Sequence, residues 1–98
     1  MTVSRVRRLE WARPARAAYE TTLGRIAEED VETAALIARR VAKSLALLQL
    51  QPQMGTPSVV AGRRVYAIPN TGHSVNYRVT RDSILVLRWY RQRQNVRR

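Results

Sequence analysis

The sequence of residues 63–90 is RRVYAIPNTGHSVNYRVTRDSILVLRWY, and three runs rich in β-branched and aromatic residues stand out in it. The runs are residues 63–68, 74–80 and 84–90, separated by the segments PNTG and RDS. Such runs, parted by turn-forming residues, are typical of antiparallel strands joined by short turns. This part of the chain therefore predicts a three-stranded antiparallel meander.

Side chains alternate between the two faces of each predicted strand, and this alternation predicts the face on which each arginine lies. In the middle run one face carries Val75, Tyr77 and Val79, and the other carries Ser74, Asn76 and Arg78. In the last run strict alternation sets Leu85, Leu87 and Trp89 against Ile84, Val86, Arg88 and Tyr90. One face has to pack on other elements, and we expect the arginine-bearing face or its rim to meet an anionic target.

The sequence before the meander predicts one short strand and two helices. Val6, Leu9 and Trp11 indicate the strand, and helical spacing of apolar residues then predicts a first helix from about Arg13 to Ala27. Asp30 is a suitable N-cap for a second helix that starts near residue 31. The apolar stripe predicted for that helix consists of Val31, Ala34, Ala35, Ala38, Val41, Ala42, Leu45 and Leu48.

A second face of the same helix mixes apolar and basic side chains. Leu36, Arg40, Lys43 and Leu47 follow one another at helical spacing on the side away from the stripe. One interpretation is an ordinary solvated face with a few exposed leucines. The other is a docking strip for an acidic, amphipathic partner segment.

These elements predict the α+β class for a single domain of residues 1–98. The expected architecture is an N-terminal strand and an antiparallel two-helix hairpin packed on an antiparallel sheet of about four strands, with residues 51–62 as a connection. Residues 91–98 have no apolar period and contain four arginines, so we expect them to form a flexible basic tail.

Charge is distributed unevenly along the chain. Lys plus Arg total 18 against seven Asp plus Glu, which gives a net charge of +11, and 17 of the 18 cations are Arg. Residues 33–98 hold twelve of the basic side chains and only one acid, Asp82. Arginine is suited to bidentate recognition of phosphate or carboxylate, so the later two-thirds of the chain predict an anionic partner.

Composition also excludes several kinds of chemistry. The chain has no Cys and one His, so disulfides and thiolate zinc sites are excluded, and we expect no cofactor and no metal site. No apolar run is long enough to span a membrane, and no signal peptide is visible, so the expected location is the cytoplasm. Asp82 is the only acid after residue 32, which leaves no carboxylate pair for hydrolysis.

Proton transfer would have to come from the single histidine or from a phenol. His73 and Ser74 are adjacent on a predicted strand and point to opposite faces, so they do not form a nucleophilic pair. Metal-free RNA cleavage needs a base, an acid and cations on the phosphate. His73 and Tyr90 are the weak candidates for the base and acid, with Tyr66 a further phenol and Tyr77 expected in the core.

Several motifs, taken in order, give the chain a family resemblance. They are WARPAR at 11–16, GRRVYAIPNT at 62–71, HSVNYRV at 73–79 and DSILVLR at 82–88. With the predicted order of elements, they make the sequence similar to the RelE/ParE toxins of bacterial type II toxin–antitoxin systems. RelE-like members cut messenger RNA on the ribosome, whereas ParE-like members, linked to plasmid stabilisation, poison DNA gyrase.

The resemblance is closer to the ParE branch. Val65 and Ala67 stand in the stretch where RelE-like toxins place catalytic lysines, and Ser74 stands where they carry an arginine. Arg91, in turn, stands where ParE-like chains often have a histidine. The resemblance implies a gyrase-inhibiting toxin that is not an enzyme, bound to an acidic antitoxin in a hetero-oligomer. The alternatives are a metal-independent endoribonuclease acting on ribosome-bound messenger RNA, and a plain nucleic-acid-binding module.

Location and charge then assign the candidate binding residues. The residues expected to bind the target are Arg63, Arg64, Arg78, Arg88, Arg91 and Arg93. The residues expected to bind the antitoxin are Leu36, Arg40, Lys43 and Leu47.

Overall fold

Residues 6–92, which this computed structural model describes, form two helices against one face of a five-stranded sheet. The sheet order is β1-β5-β4-β3-β2, with β1 parallel to β5 and the other neighbours antiparallel. The elements in chain order are β1 (Arg8–Trp11), α1 (Arg13–Glu29), α2 (Val31–Leu50), a 3₁₀ turn (Pro52–Met54), β2 (Thr56–Pro57), β3 (Arg63–Ile68), β4 (His73–Val79) and β5 (Ser83–Arg91).

The predicted α+β architecture is confirmed, with one additional strand and with one parallel pairing in a sheet that was predicted to be antiparallel. A two-residue strand, β2, lies within the predicted connection and pairs with β3. The N-terminal strand β1 runs parallel to β5, because the helix hairpin carries the chain across the sheet between them. No helix within the described residues is both long enough and apolar enough to cross a membrane.

Asp30 ends one helix and begins the next. Its carboxylate accepts hydrogen bonds from the backbone N–H of Glu32 at 3.0 Å and of Thr33 at 3.3 Å, and from the Thr33 hydroxyl at 2.8 Å. These bonds, led by the one from the Thr33 hydroxyl, lower the pKa of Asp30. The predicted cap is therefore confirmed, and α1 continues two residues past its predicted end, to Glu29.

The core lies between the helices and the inner face of the sheet. The stripe predicted for α2 is confirmed in part, since its buried members are Ala34, Val41, Leu45 and Leu48. Val31, Ala35 and Ala42 are exposed instead, and the core includes Ile37 and Ser44, which the stripe did not contain. The largest fully buried side chains are Tyr77, Leu48, Ile68, Ile84, Val41, Val75 and Val86.

A β-bulge in β5 changes which of its side chains reach the core. Tyr77 pairs with Val86 and Asn76 pairs with Arg88, so Leu87 is an extra residue with no partner on β4. The alternation therefore shifts by one residue after Leu87. As a result Trp89 joins Val86 in the core, and the strict alternation predicted for this strand is wrong beyond the bulge.

Tyr77 ties the segment after α2 to the sheet. Its fully buried hydroxyl donates to the carbonyl of Pro52 at 2.6 Å and accepts from the N–H of Gly55 at 3.0 Å. Burial raises the pKa of Tyr77, so the phenol keeps its proton. Tyr77 thus lies in the core, as the sequence predicts.

Candidate functional site

The strand register assigns a defined set of side chains to the face of the sheet turned away from the helices, which we call the outer face. Three cross-strand rows build it from β3, β4 and β5. The rows are Arg63–Arg78–Leu85, Val65–Asn76–Arg88 and Ala67–Ser74–Tyr90.

Three of the predicted target-binding residues meet on this outer face. Arg63 lies directly opposite Arg78, and Arg88 lies in the neighbouring row. Arg78 and Arg88 are exposed, and the Arg88 guanidinium lies 5.3 Å from the centre of the Tyr90 ring. Like charges directly opposite each other on neighbouring strands are destabilising, so this arrangement costs folding energy.

Within residues 6–92, the ion pairs Arg8–Glu10 and Arg16–Glu20 do not include this arginine cluster. On the strands of the described part of the chain, the carboxylate brought to the outer face is that of Glu10 on β1, which forms an exposed ion pair with Arg8 at 3.7 Å. A second exposed ion pair, Arg16–Glu20 at 3.6 Å, lies on α1. The outer-face arginines therefore keep their charge available for an external anion.

Two polar atoms within the outer face have no hydrogen-bond partner in the described structure. They are the Nε of Arg63 and the Oδ1 of Asn76, and both are buried. Asn76 is only 9% exposed. Buried polar atoms without partners are uncommon in folded proteins, and each of these two atoms therefore lowers the stability of the fold.

Two other predicted target-binding residues lie on the inner side of the sheet. Arg64 pairs with Tyr77, and its Nη1 donates to the Gly55 carbonyl at 2.6 Å, which ties β3 to the preceding segment. Arg91 pairs with His73 at the end of the sheet. The structure therefore divides the predicted arginine set between two faces.

The predicted basic tail falls mostly beyond the described residues. Arg91 is the last residue of β5, and the N–H of Gln92 donates to the carbonyl of Gly72 at 2.8 Å. Residues 93–98, which include the predicted target-binding residue Arg93, lie outside the described part of the chain.

The two candidate catalytic residues, His73 and Tyr90, both line a cleft between α1 and the end of β5, but no hydrogen bond joins them in the described structure. Tyr90 lies on the outer face beside Arg88, whereas His73 stacks on Trp89 on the inner side, with ring centres 4.7 Å apart. His73 Nδ1 lies 3.1 Å from the carbonyl oxygen of Thr71. Within residues 6–92, no group of three or more His, Cys, Asp or Glu side chains is placed to hold a metal ion.

Three of the four predicted antitoxin-binding residues line one groove, which we call the α2 groove. Its volume is about 240 Å³, and Arg40 Nη1 donates to the Asn70 carbonyl at 2.9 Å across one side of it. Leu36 is 36% exposed on the same helix but does not line the groove. The lining consists of Arg40, Lys43, Ser44, Leu47, Tyr66, Pro69 and Asn70.

The sequence does not predict that β3 and the turn after it form one wall of the α2 groove. Pro69 and Asn70 belong to the turn after β3, and Asn70 has a left-handed φ of 60°. The turn itself was predicted from the PNTG segment, but its position beside α2 depends on how the hairpin packs. Tyr66 closes the groove from β3.

Comparisons with known proteins agree with this architecture. The family described as ParE toxin of type II toxin–antitoxin system, parDE, matches residues 9–96. A solved structure of the chromosomal ParDE toxin–antitoxin system from P. aeruginosa is similar in fold, with a TM-score of 0.77 at 24% sequence identity. That similarity covers 90% of this chain and 98% of the other. No curated protein matches the sequence.

Proposed function

The chain belongs to the ParE toxin family of type II toxin–antitoxin systems, and we propose that it stops growth by poisoning DNA gyrase. The observation that carries this proposal is the uncompensated arginine cluster of the outer face, Arg63, Arg78 and Arg88. Guanidinium groups bind phosphate oxygens in a fixed, bidentate geometry. The outer face therefore suits the DNA backbone within a gyrase–DNA complex. Under this proposal the toxin acts in the cytoplasm.

The same face is poorly equipped for RNA cleavage. Val65, Ala67 and Ser74 occupy two adjacent rows of the outer face, and they replace the lysines and arginine expected of the RNA-cleaving branch. Arginine stays protonated and so supplies neither a base nor an acid. Tyr90 is the remaining proton donor beside the cluster, and it is the observation that favours the alternative function, a ribosome-dependent ribonuclease.

A gyrase assay tests the proposed target directly. Purified toxin should inhibit supercoiling and accumulate cleaved gyrase–DNA complexes, and a variant with Arg63, Arg78 and Arg88 all changed to Gln should lose both effects. The matched control changes Arg13, Arg16 and Arg39 to Gln, which removes the same charge from exposed helix positions. This control should inhibit gyrase as the parent does.

Two results would contradict the gyrase proposal. One is that the parent toxin arrests growth but leaves the rate of supercoiling by gyrase unchanged. The other is cleavage of ribosome-bound messenger RNA, detected by toe-printing, that disappears in the Tyr90→Phe variant. The second result would assign the toxin to the ribonuclease alternative.

For regulation, we propose that an acidic antitoxin segment occupies the α2 groove and forms a hetero-oligomer with the toxin. Leu47 is 38% exposed and Leu36 is 36% exposed, so both offer apolar surface to a partner. Arg40 and Lys43 place positive charge between these leucines on α2. A partner helix with apolar residues on one face and carboxylates along its edge would complement both features.

Salt dependence and point variants test this antitoxin site. The affinity of the toxin for its antitoxin should weaken as ionic strength rises, because exposed charges are screened. Lys43→Glu should weaken binding further at low salt, whereas the control Arg39→Glu on the same helix should have a smaller effect. An affinity independent of both salt and Lys43 would exclude this groove.

A further inference from the structure

A second basic recess lies on the inner side of the sheet, between α1 and the end of β5, and we call it the α1–β5 cleft. Its volume is about 260 Å³. None of the outer-face arginines and none of the residues of the α2 groove line it, although it shares Tyr90 with the outer face. The lining consists of Ala18, Thr22, Arg25 and Ile26 of α1, His73 of β4, and Trp89, Tyr90 and Arg91 of β5.

The floor of this cleft is held rigidly by a row of stacked rings. Trp11 stacks on Tyr19 at 5.1 Å, Tyr19 meets Trp89 edge-on at 4.7 Å, and Trp89 stacks on His73 at 4.7 Å with only 9° between the planes. The Nε1 of Trp89 donates to the Thr22 hydroxyl at 3.0 Å. The His73 ring is therefore fixed before any ligand arrives, which lowers the entropy cost of binding.

The turn before β4 fixes His73 from its other side. Its Nδ1 lies 3.1 Å from the carbonyl of Thr71, which can only accept, so Nδ1 is the donor in that bond. The Thr71 hydroxyl accepts from the His73 N–H at 3.1 Å and donates to the Ile68 carbonyl at 2.9 Å. The other ring nitrogen, Nε2, is left to interact with a ligand.

The charge of the cleft is positive on two opposite walls. Arg25 comes from α1 and Arg91 from β5, and both are exposed. No carboxylate lines the cleft within the described structure. Glu28 and Glu29 lie about one turn beyond Arg25 on α1, but neither forms an ion pair with it in the described structure. Two unneutralised guanidinium groups facing one recess predict an anionic ligand.

We propose that the α1–β5 cleft binds one phosphate of a single nucleic-acid strand between Arg25 and Arg91. The adjoining nucleoside then contacts His73 and the apolar wall formed by Ala18 and Ile26. A volume of about 260 Å³ is just below the range of pockets for whole drug-sized ligands, about 300 Å³ and more, so it suits one unit of a longer chain. A basic groove beside aromatic rings is the usual design of single-strand binding sites.

Binding of a strand to the α1–β5 cleft can be tested without gyrase, because the assay uses bare nucleic acid. His73 is the only histidine of the chain, so its ring C–H resonance in an NMR spectrum is assigned without ambiguity. Adding single-stranded oligothymidine of about ten nucleotides, a typical site size, should shift that resonance. Thymidine monophosphate and inorganic phosphate, added separately, distinguish a strand from its free components.

Variants of the cleft supply the second measurement. Arg25→Gln combined with Arg91→Gln should weaken oligothymidine binding about tenfold and reduce the salt slope of the affinity by about one. The matched control, Arg13→Gln combined with Arg16→Gln, removes the same charge from exposed positions of the chain and should keep the parent slope. Both arginines of the cleft are exposed, so the variant should fold as the parent does.

Each other outcome overturns the inference. Parent-like affinity of the cleft variant would show that the strand binds elsewhere, and loss of binding only in the Arg63, Arg78 and Arg88 variant would place it on the outer face. A His73 shift with inorganic phosphate but not with oligothymidine would exclude a strand. A shift produced only by an acidic peptide would make the cleft a protein-binding site. The supercoiling assay tests the gyrase proposal separately, because it measures inhibition of gyrase and not binding of a strand to the α1–β5 cleft.

Discussion

Replacing Arg63 by Met should stabilise the protein, although Arg63 belongs to the proposed target-binding set. Arg63 lies directly opposite Arg78, and its Nε is buried without a hydrogen-bond partner in the described structure. Directly opposed like charges cost about 0.2–1 kcal/mol, and a buried unpaired donor costs about 1–3 kcal/mol. Methionine keeps the unbranched stem and removes both costs.

The expected gain in the free energy of unfolding is smaller than the sum of these two costs, because Arg63 is partly exposed and its neighbours can relax. We expect the free energy of unfolding to rise by about 1–2 kcal/mol, which corresponds to an increase in Tm of about 5–15 °C for a domain of this size. In about 1 M salt, where the Debye length is about 3 Å, the like-charge part of the gain should disappear. The part due to the unpaired donor should remain.

The adjacent residue provides the matched control. Arg64 points to the inner side and donates from Nη1 to the Gly55 carbonyl at 2.6 Å. A hydrogen bond from a charged donor is worth about 1.5–3 kcal/mol, so Arg64→Met should lower the free energy of unfolding by about 1–2 kcal/mol. The same substitution at neighbouring positions should therefore have opposite signs.

Urea unfolding followed by circular dichroism measures both changes, and the m-values should equal that of the parent. The reasoning fails if the two variants shift stability in the same direction. Its functional counterpart is the supercoiling assay, in which Arg63→Met should inhibit gyrase less than the parent despite its greater stability. A variant that is more stable but less active would show that the charge of Arg63 lowers the stability of the fold and is needed for activity.

Three further predictions concern the hydroxyl of Tyr77, the Asp30 cap and the α2 groove. Tyr77→Phe should lower the free energy of unfolding by about 2–4 kcal/mol in urea, because it leaves the buried Gly55 N–H and Pro52 carbonyl without partners; Tyr66→Phe, the control, should have little effect. Asp30→Ala should destabilise the protein at neutral pH. Because the folded-state pKa of Asp30 is lowered, its contribution is present above its usual pKa and is lost as pH falls through the folded value, so acid denaturation of parent and variant should converge there. Leu47→Ala should weaken antitoxin binding about tenfold by calorimetry, and an effect no larger than that of an exposed-face control, Leu50→Ala, would contradict the groove assignment.

Local chemistry was sufficient to predict much of the fold. Asp30 was identified as an N-cap because its short carboxylate can reach the free N–H groups of the first turn, and that geometry is independent of the rest of the chain. The three strand runs were identified for a similar reason, since β-branched and turn residues act over a few positions. Features of this kind need no knowledge of tertiary contacts.

The parts that were missed depend on pairing between distant residues. The bulge at Leu87 follows from the register of β5 on β4, and nothing in the run ILVLRWY marks the extra residue. That bulge decides that Trp89 enters the core and that Arg91 faces inward beside His73. The α1–β5 cleft was missed for the same reason, because Arg25 and Arg91 are far apart in the chain and meet only through packing.

The two proposed binding surfaces lie on opposite sides of the sheet, and this restricts how an antitoxin can neutralise the toxin. The α2 groove lies on the helix side of the sheet, whereas the proposed gyrase-binding arginines lie on the outer face. An antitoxin segment seated only in the α2 groove would therefore leave Arg63, Arg78 and Arg88 uncovered. The groove ends at the turn containing Pro69 and Asn70, which joins β3 to β4. Under the proposed function, a neutralising antitoxin has to continue past this turn onto the outer face, or block the approach of gyrase by its bulk.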